Sequence, residues 1–486
     1  MRRAEIRLKL VLLGLIMIGL MLPEVSMSAF KSDTNLHEIE GANDKFTGDY
    51  SQMVKRRLIR VLVPYNRAFF FFDGAQPKGI SYETGIQFEK FINEKQKTKN
   101  LKINVVFIPT SRSKLLEKLA EGRGDIAIGN LTITDERRKI VDFSTPFAKN
   151  VSEIVVTGSS VATLKSPYDV AGMEIHVRKS SSYYENLQTF NGVLKSAGKQ
   201  PVTIVEADEH LEDSDLLEMV NAGVIPAVIV DTHKAKLWKE VFADITLHEQ
   251  AKIHDGGEIA WAVRKNSPEL QGIITEFAKG HKAGTLIGNV IINRYLKSAK
   301  YIKNAASGAE RKKFEETIDF FKTYAKKYDF DYLMLAALAY QESTLDQNLV
   351  SSVGAVGVMQ ILPSTAKDKN VGISDVKNVD SNIHAGTKYL HFMADKYFPP
   401  EGDLDPLNRA FFTFASYNAG PAKVARLRSE AKEMGLDPNL WFDNVEVVAA
   451  KRIGRETVQY VSNIVKYYVS YKLLSEKFDQ ESGQKQ

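Results

Sequence analysis

Short β-branched runs and amphipathic stretches alternate along the chain from Leu58 onward. "LIRVLVPY", "INVVFIP" and "GDIAIGNLTI" read as strands, and "YETGIQFEKFINEK" and "SKLLEKLAEG" between them have the three-to-four spacing of helices. A second set follows: "MEIHVRK", "ENLQTFNGVLKSAG", "VTIVEA", "LLEMVNAG" and "AVIVD". "EIAWAVRK" and the helix "PELQGIITEFAKGH" close the region. Such alternation predicts an α/β domain with a largely parallel sheet. From about residue 310 the period-two signal fades and helix follows helix. The segment Leu333 to Ala339 is apolar all round, which predicts a central helix.

The ends and joints differ in pattern. Arg2, Arg3, Arg7 and Lys9 precede a 13-residue apolar run, Leu10 to Leu22, followed by Pro23 and small residues at Ser26, Ser28 and Ala29. That order predicts a secretory signal over 1–29. The run is shorter than the roughly 20 residues that a spanning helix needs. Residues 30–57 are polar and mixed in charge and read as a tether. The domains expected are 58–296 and 312–476, with a small polar linker at 297–311 and a polar tail at 477–486.

Composition changes this picture little. The 486 residues exceed one ordinary core, and the net charge of +5 gives no support to nucleic-acid binding. There is no cysteine, hence no disulfide framework, thiolate site or lipid-linked cysteine. The nine histidines are scattered without metal-ligand spacing, so neither a metal nor another cofactor is expected.

One carboxylate stands out. Ten uncharged residues, Tyr332 to Gln341, run directly into Glu342, and Leu335, Leu338 and Glu342 share a helical face. A carboxyl at the end of a buried helix is partly desolvated and near the negative pole of the dipole, and both favour the neutral acid. That suits a general acid. The alternative is a C-terminal glutamate turned to solvent. Four motifs keep it company: "ES" at Glu342 and Ser343, "GAVGVMQ" from Gly354 to Gln360, "ASYNAGP" from Ala415 to Pro421, and "ETVQYV" from Glu456.

In order and content these motifs resemble the lytic transglycosylase domain of the soluble-transglycosylase type, related to goose-type lysozyme, over about 312–476. The resemblance implies an all-α, lysozyme-like domain that cleaves peptidoglycan glycan strands. It makes Glu342 the single acid and base, and lines the substrate cleft with Ser343, Gly354, Gly357, Met359, Gln360, Tyr417, Asn418, Glu456 and Tyr460. It implies that Tyr417 places its hydroxyl near Glu342. Plainer readings stay open: Met359 as core filler, Tyr417 and Tyr460 as packing aromatics, Glu456 as a first-turn acid.

In the front half, "GRGDIAIGNLTITDERRKIVDFSTPF" resembles the extracellular solute-binding domain of amino-acid uptake systems. This implies a two-lobed, periplasmic-binding-protein-like α/β domain with hinge strands. Arg137 and Thr132 would hold a ligand carboxylate, Asp231 a ligand amine, and Tyr65, Phe70 and Phe72 an apolar wall. Ser182 lies where a glycine is often seen. Thr134 is suited to cap a helix opening with Asp135 and Glu136. The fusion resembles the membrane-bound lytic murein transglycosylase F family. That implies a periplasmic enzyme, peripherally associated with the outer membrane of a Gram-negative bacterium. It also implies regulation by a small amino-acid or muropeptide ligand. A hydrolytic muramidase, and a solute-binding protein with an inactive rear domain, are the rival readings.

Overall fold

The computed structural model describes residues 44–66, 68–73, 76–296, 308–399 and 404–483. The expected signal segment, the first part of the tether and most of the linker lie outside them. The remaining tether is not a tether. Tyr50–Arg56 is a helix: the Asp49 side chain accepts from Tyr50 N–H, Arg57 stops it in the left-handed region, and Tyr50 and Met53 are buried. Its charges have partners. The Arg56 guanidinium lies 3.5 Å over the Phe46 ring and pairs with the buried Asp125, which also holds Arg60 and Arg264.

The front strands are β1 (Leu58–Val63), β2 (Phe71–Asp73), β3 (Gln76–Lys78), β4 (Asn104–Pro109), β5 (Ile126–Thr132), β6 (Val141–Phe143), β7 (Ala148–Gly158), β8 (Glu174–Arg178), β9 (Thr203–Ala207), β10 (Ala227–Asp231) and β11 (Ile245–Arg264). Nine join one sheet, in the order β4-β1-β5-β11-β7-β10-β8-β9, with β6 on β11. The flanks β4-β1-β5 and β10-β8-β9 are parallel, as expected. The middle is antiparallel, because β7 and β11 run beside each other between the two lobes. Only the last third of β11 was legible as a strand. Its first part, "ITLHEQAKIHDGG", is polar and its register against β7 shifts four times. These two strands lie between the two parallel flanks and join them.

The rear half is helical. Its helices are Gly308–Tyr328, Tyr332–Ser343, Pro363–Lys367, Val379–Tyr397, Pro406–Ala419, Pro421–Glu433, Glu446–Arg452 and Arg455–Gly483. The first begins inside the expected linker, and the last runs through most of the expected tail. Asp331 caps Tyr332–Ser343 by accepting from Leu333 and Met334 N–H, and every residue from Leu333 to Tyr340 is buried. Complete burial of Leu335 and of Leu338 stabilises by about 2 kcal/mol each. The helix packs between Gly308–Tyr328 and the C-terminal helix, so its terminus is held from two sides.

The halves meet through specific contacts. Lys466 on the C-terminal helix pairs with Asp215 at 3.2 Å, both buried. Asp443 accepts from Lys118 at 2.7 Å and Ser111 at 2.9 Å, and the Phe442 ring lies 4.6 Å from His210. Asp443 N–H donates to Glu446 Oε1 at 3.0 Å. Burial, with the Asp443 charge second, raises the Glu446 carboxyl to about 7. The sign follows: a pKa raised on folding gives stability that is complete below 4.5 and lost as pH rises through 7. Glu446→Gln keeps the acceptor and removes the titration. Urea unfolding should show it more stable than wild type by about 2 kcal/mol above neutrality, and equal to it near pH 4. An equal gain at both pH values would contradict this.

Candidate active site and ligand cleft

Glu342 is the penultimate residue of the helix Tyr332–Ser343, which stops because Thr344 and Leu345 both adopt positive φ. Its carboxylate is half-buried and accepts a short hydrogen bond at Oε1 from the Tyr460 hydroxyl. Burial pushes the Tyr460 phenol far up, and the Glu342 charge adds to it. Tyr417 is pushed up by the same two causes. Both phenols therefore stay protonated beside the carboxylate, as donors.

The glycine loop beside Glu342 is pinned through its backbone. Ser343 Oγ donates to the Val358 carbonyl at 2.8 Å and accepts from Asp346 N–H at 3.1 Å. Gln347 Oε1 accepts from Val358 N–H at 3.2 Å. Asn382, fully buried, accepts from Met359 N–H at 2.8 Å and donates to the Val356 and Val376 carbonyls at 2.9 and 3.0 Å. The Tyr417 hydroxyl donates to the Met359 carbonyl at 2.8 Å. Gln360 Nε2 donates to the Leu349 and Gly357 carbonyls at 3.0 Å each. A peptide segment held at consecutive N–H and C=O groups has little freedom left.

This geometry redistributes the expected roles. Tyr460 donates to the Glu342 carboxylate, and Tyr417, near enough to feel the Glu342 charge as expected, donates to the loop. Met359 is fully buried beneath Gly386, where a Cβ would come within 2.7 Å of it, so it fills the core rather than the cleft. Ser343 and Gln360 have their polar groups turned inward onto the loop. Gly357 faces the amides of Asn382 and Gln347, whereas Gly354 has open space about it. Asn418 is exposed, and its Oδ1 accepts from Thr457 at 2.7 Å. Glu456 is exposed at the start of its helix. Asn382, Gln347 and Thr457 were missed. Asn382 sits four residues before Gly386 in "NIHAGTKYL", and that spacing on one helical face was the available signal.

The front cleft, of about 510 Å³, opens between the lobes. Thr134 caps the helix Asp135–Ile140 as expected, its side chain accepting from Arg137 N–H. The Arg137 guanidinium reaches across the cleft, donating to the Thr132 carbonyl at 2.9 Å and the Ser180 carbonyl at 3.0 Å. Ser182 Oγ donates to Glu153 at 2.9 Å, and burial raises that carboxyl to about 7. Asp231 is completely buried, with Asn130 Nδ2 at 2.8 Å and Lys234 Nζ at 3.1 Å. Phe70 is core, stacked on Phe107 at 5.8 Å, because β1 and the helix Ile80–Lys95 close over it; Tyr65 packs against it, half-buried. The Phe72 side chain lies outside the described residues. Among the described residues no helix is long and apolar enough to cross a membrane.

Two family models match the chain. Residues 59–297 match the bacterial extracellular solute-binding proteins, family 3, and residues 319–438 match the transglycosylase SLT domain. Among curated proteins, the membrane-bound lytic murein transglycosylase F of Desulfosudis oleivorans is 29% identical, covering 73% of this chain and 78% of that one. The protein of the same name from Pseudomonas fluorescens Pf0-1 is 27% identical, covering 85% and 84%. Among solved structures, an amino acid ABC transporter substrate-binding protein from Streptococcus pneumoniae, bound to L-arginine, overlaps 51% of this chain and 99% of its own. Its TM-score is 0.42 and its identity 22%.

Proposed function

Taking the chain as a member of the membrane-bound lytic murein transglycosylase F family and a lyase acting on peptidoglycan, we propose that Glu342 alone carries both proton transfers. The observation that carries this reading is the bond from Tyr460 to Glu342, made at the edge of a loop fixed by its own backbone. As acid, Glu342 protonates the oxygen between N-acetylmuramic acid and N-acetylglucosamine, and that bond breaks. As base, it takes the proton from the muramyl 6-hydroxyl while the hydroxyl oxygen closes on C1. The product is a 1,6-anhydro sugar, and no water is consumed. Ordinary glycosidases need a second carboxylate. Here the neighbours that feel the Glu342 charge include two phenols, kept protonated by burial. Intramolecular attack gains from proximity.

The front cleft takes a small amino-acid or muropeptide ligand and sets the rate of the rear site. Support comes from the helix Asp213–Asn221. Asp213, at its start, pairs with Arg178 and Lys234 of the cleft, and Asp215 pairs with Lys466 on the helix that carries Tyr460. A shift of this helix therefore bears on both ends, which coupling requires. The enzyme acts in the periplasm at the membrane surface.

The test is a digest of purified peptidoglycan, weighing the muropeptides released, with and without added muropeptides. Anhydro products, one water lighter than reducing sugars, and a rate that responds to the additions are expected. Reducing ends would instead make the chain a muramidase. Equal rates with every addition would remove the regulatory part.

A further inference from the structure

Building on the reading that the front cleft takes a ligand, we propose that it selects ligands that carry a carboxylate and lack a free α-ammonium: N-acylated amino acids and peptides. Free amino acids bind more weakly.

Three of the acids buried in and behind the cleft are matched by the protein's own cations, and a fourth, Glu153, is held by the neutral side chains of Ser182 and Asn186, with burial favouring its uncharged form. Glu212 is held by Arg112 through both oxygens, at 2.8 and 2.7 Å, and by Asn66 at 2.9 Å. Asp213 is held by Arg178 and by Lys234 Nζ at 2.6 Å. Asp231 is held by Lys234 at 3.1 Å. Lys234 itself is buried, with the Tyr183 hydroxyl at 3.0 Å as a further partner. A ligand ammonium therefore meets carboxylates whose charge is spent. The Oδ1 of Asp231 is buried with no hydrogen-bond partner, but an ammonium drawn to it comes up against the like charge of Lys234. Lys234 occupies the place such a group would need.

The cations are less evenly matched. Arg137 has two carbonyls and, at 3.9 Å, the partly exposed Glu185. A carbonyl dipole does not neutralise a guanidinium. Arg178 lines the cleft and is almost fully buried; its terminal nitrogens pair with Asp213 and Glu212, and its Nε alone has no acceptor. Between them the fifteen-residue helix Ser182–Ser196 begins, and its first residues, Ser182 and Tyr183, line the cleft at the end of the helix where negative charge is favoured. Arginine forks onto carboxylates better than onto carbonyls. The cleft thus favours an anion at Arg137 and, with Lys234 beside Asp231, disfavours an ammonium.

Calorimetric titration of the full chain tests this with L-alanine, L-glutamate and L-alanyl-L-alanine, each beside its N-acetyl derivative. The N-acetyl form is expected to bind tighter by roughly tenfold or more in each pair. Equal or tighter binding of the free forms would overturn the proposal while leaving the cleft a ligand site. Binding of none of the six would overturn both. Lys234→Met, which keeps the stem and removes the charge, should move the preference toward the free amines by a similar factor. An unmoved preference in a variant that melts like wild type would also overturn it.

Discussion

Glu342→Gln releases no anhydro-muropeptide above background, a loss of about 10³-fold or more in rate, while its melting temperature stays within a degree or two of wild type. Glutamine has the shape of the acid and keeps an oxygen to accept from Tyr460. It can neither give nor take the proton. Since one group is asked to serve twice, nothing nearby takes over half of the work. Tyr460→Phe separates positioning from proton transfer. It keeps the ring in its buried place and removes the hydroxyl that holds Oε1. The carboxyl then samples more orientations, and the rate falls by about tenfold to a hundredfold with substrate binding little changed. Rate measurements on insoluble peptidoglycan and on soluble glycan fragments would check both. A Glu342→Gln protein with even a tenth of the wild-type rate would remove Glu342 from its role.

Gly357→Ala and Gly354→Ala should differ sharply, although the motif presents the two glycines alike. Both have positive φ, +76° and +85°. At Gly354 nothing lies within 4 Å of an added Cβ, so the cost is the backbone term alone, about 1 kcal/mol. At Gly357 the Cβ meets Asn382 Nδ2 at 2.4 Å and Gln347 Nε2 at 2.6 Å. These amides hold Val356, Val358 and Met359, so neither can move without releasing the loop. Gly357→Ala should therefore lose about 3 kcal/mol or more, from strain plus broken buried hydrogen bonds. The loop beside Glu342 shifts with it, and activity falls by about a hundredfold. Urea unfolding and muropeptide release, measured on both variants, decide the matter. Equal losses at the two positions would show that the loop is not anchored through Asn382.

What was legible in the sequence was local. The helix that bears Glu342 shows in the ten uncharged residues Tyr332 to Gln341. The start of Asp135–Ile140 shows in Thr134, and the α/β character of the front domain shows in alternating periods of two and three to four. These depend on neighbours within a turn or a strand, which a linear pattern contains. The helix Tyr50–Arg56 and the first part of β11 were missed for the complementary reason. Their residues are polar, and their order comes from partners far away, Asp125 and β7.

The chain by itself determined that there is a buried helix bearing one acid, a glycine loop after it, and an α/β domain in front. Only the tertiary structure decided how each tyrosine near that acid uses its hydroxyl. Tyr460 arrives from 118 residues away on a helix packed alongside, while Tyr417, nearer in sequence, is spent on the Met359 carbonyl. Likewise it decided that Met359 is core, that Asn382 holds the loop, and that Lys234 stands against Asp231. The reason is common to all four. A hydrogen bond or ion pair forms only when two groups come within about 3 Å in the right direction, and that distance is set by how helices and strands pack, not by spacing along the chain.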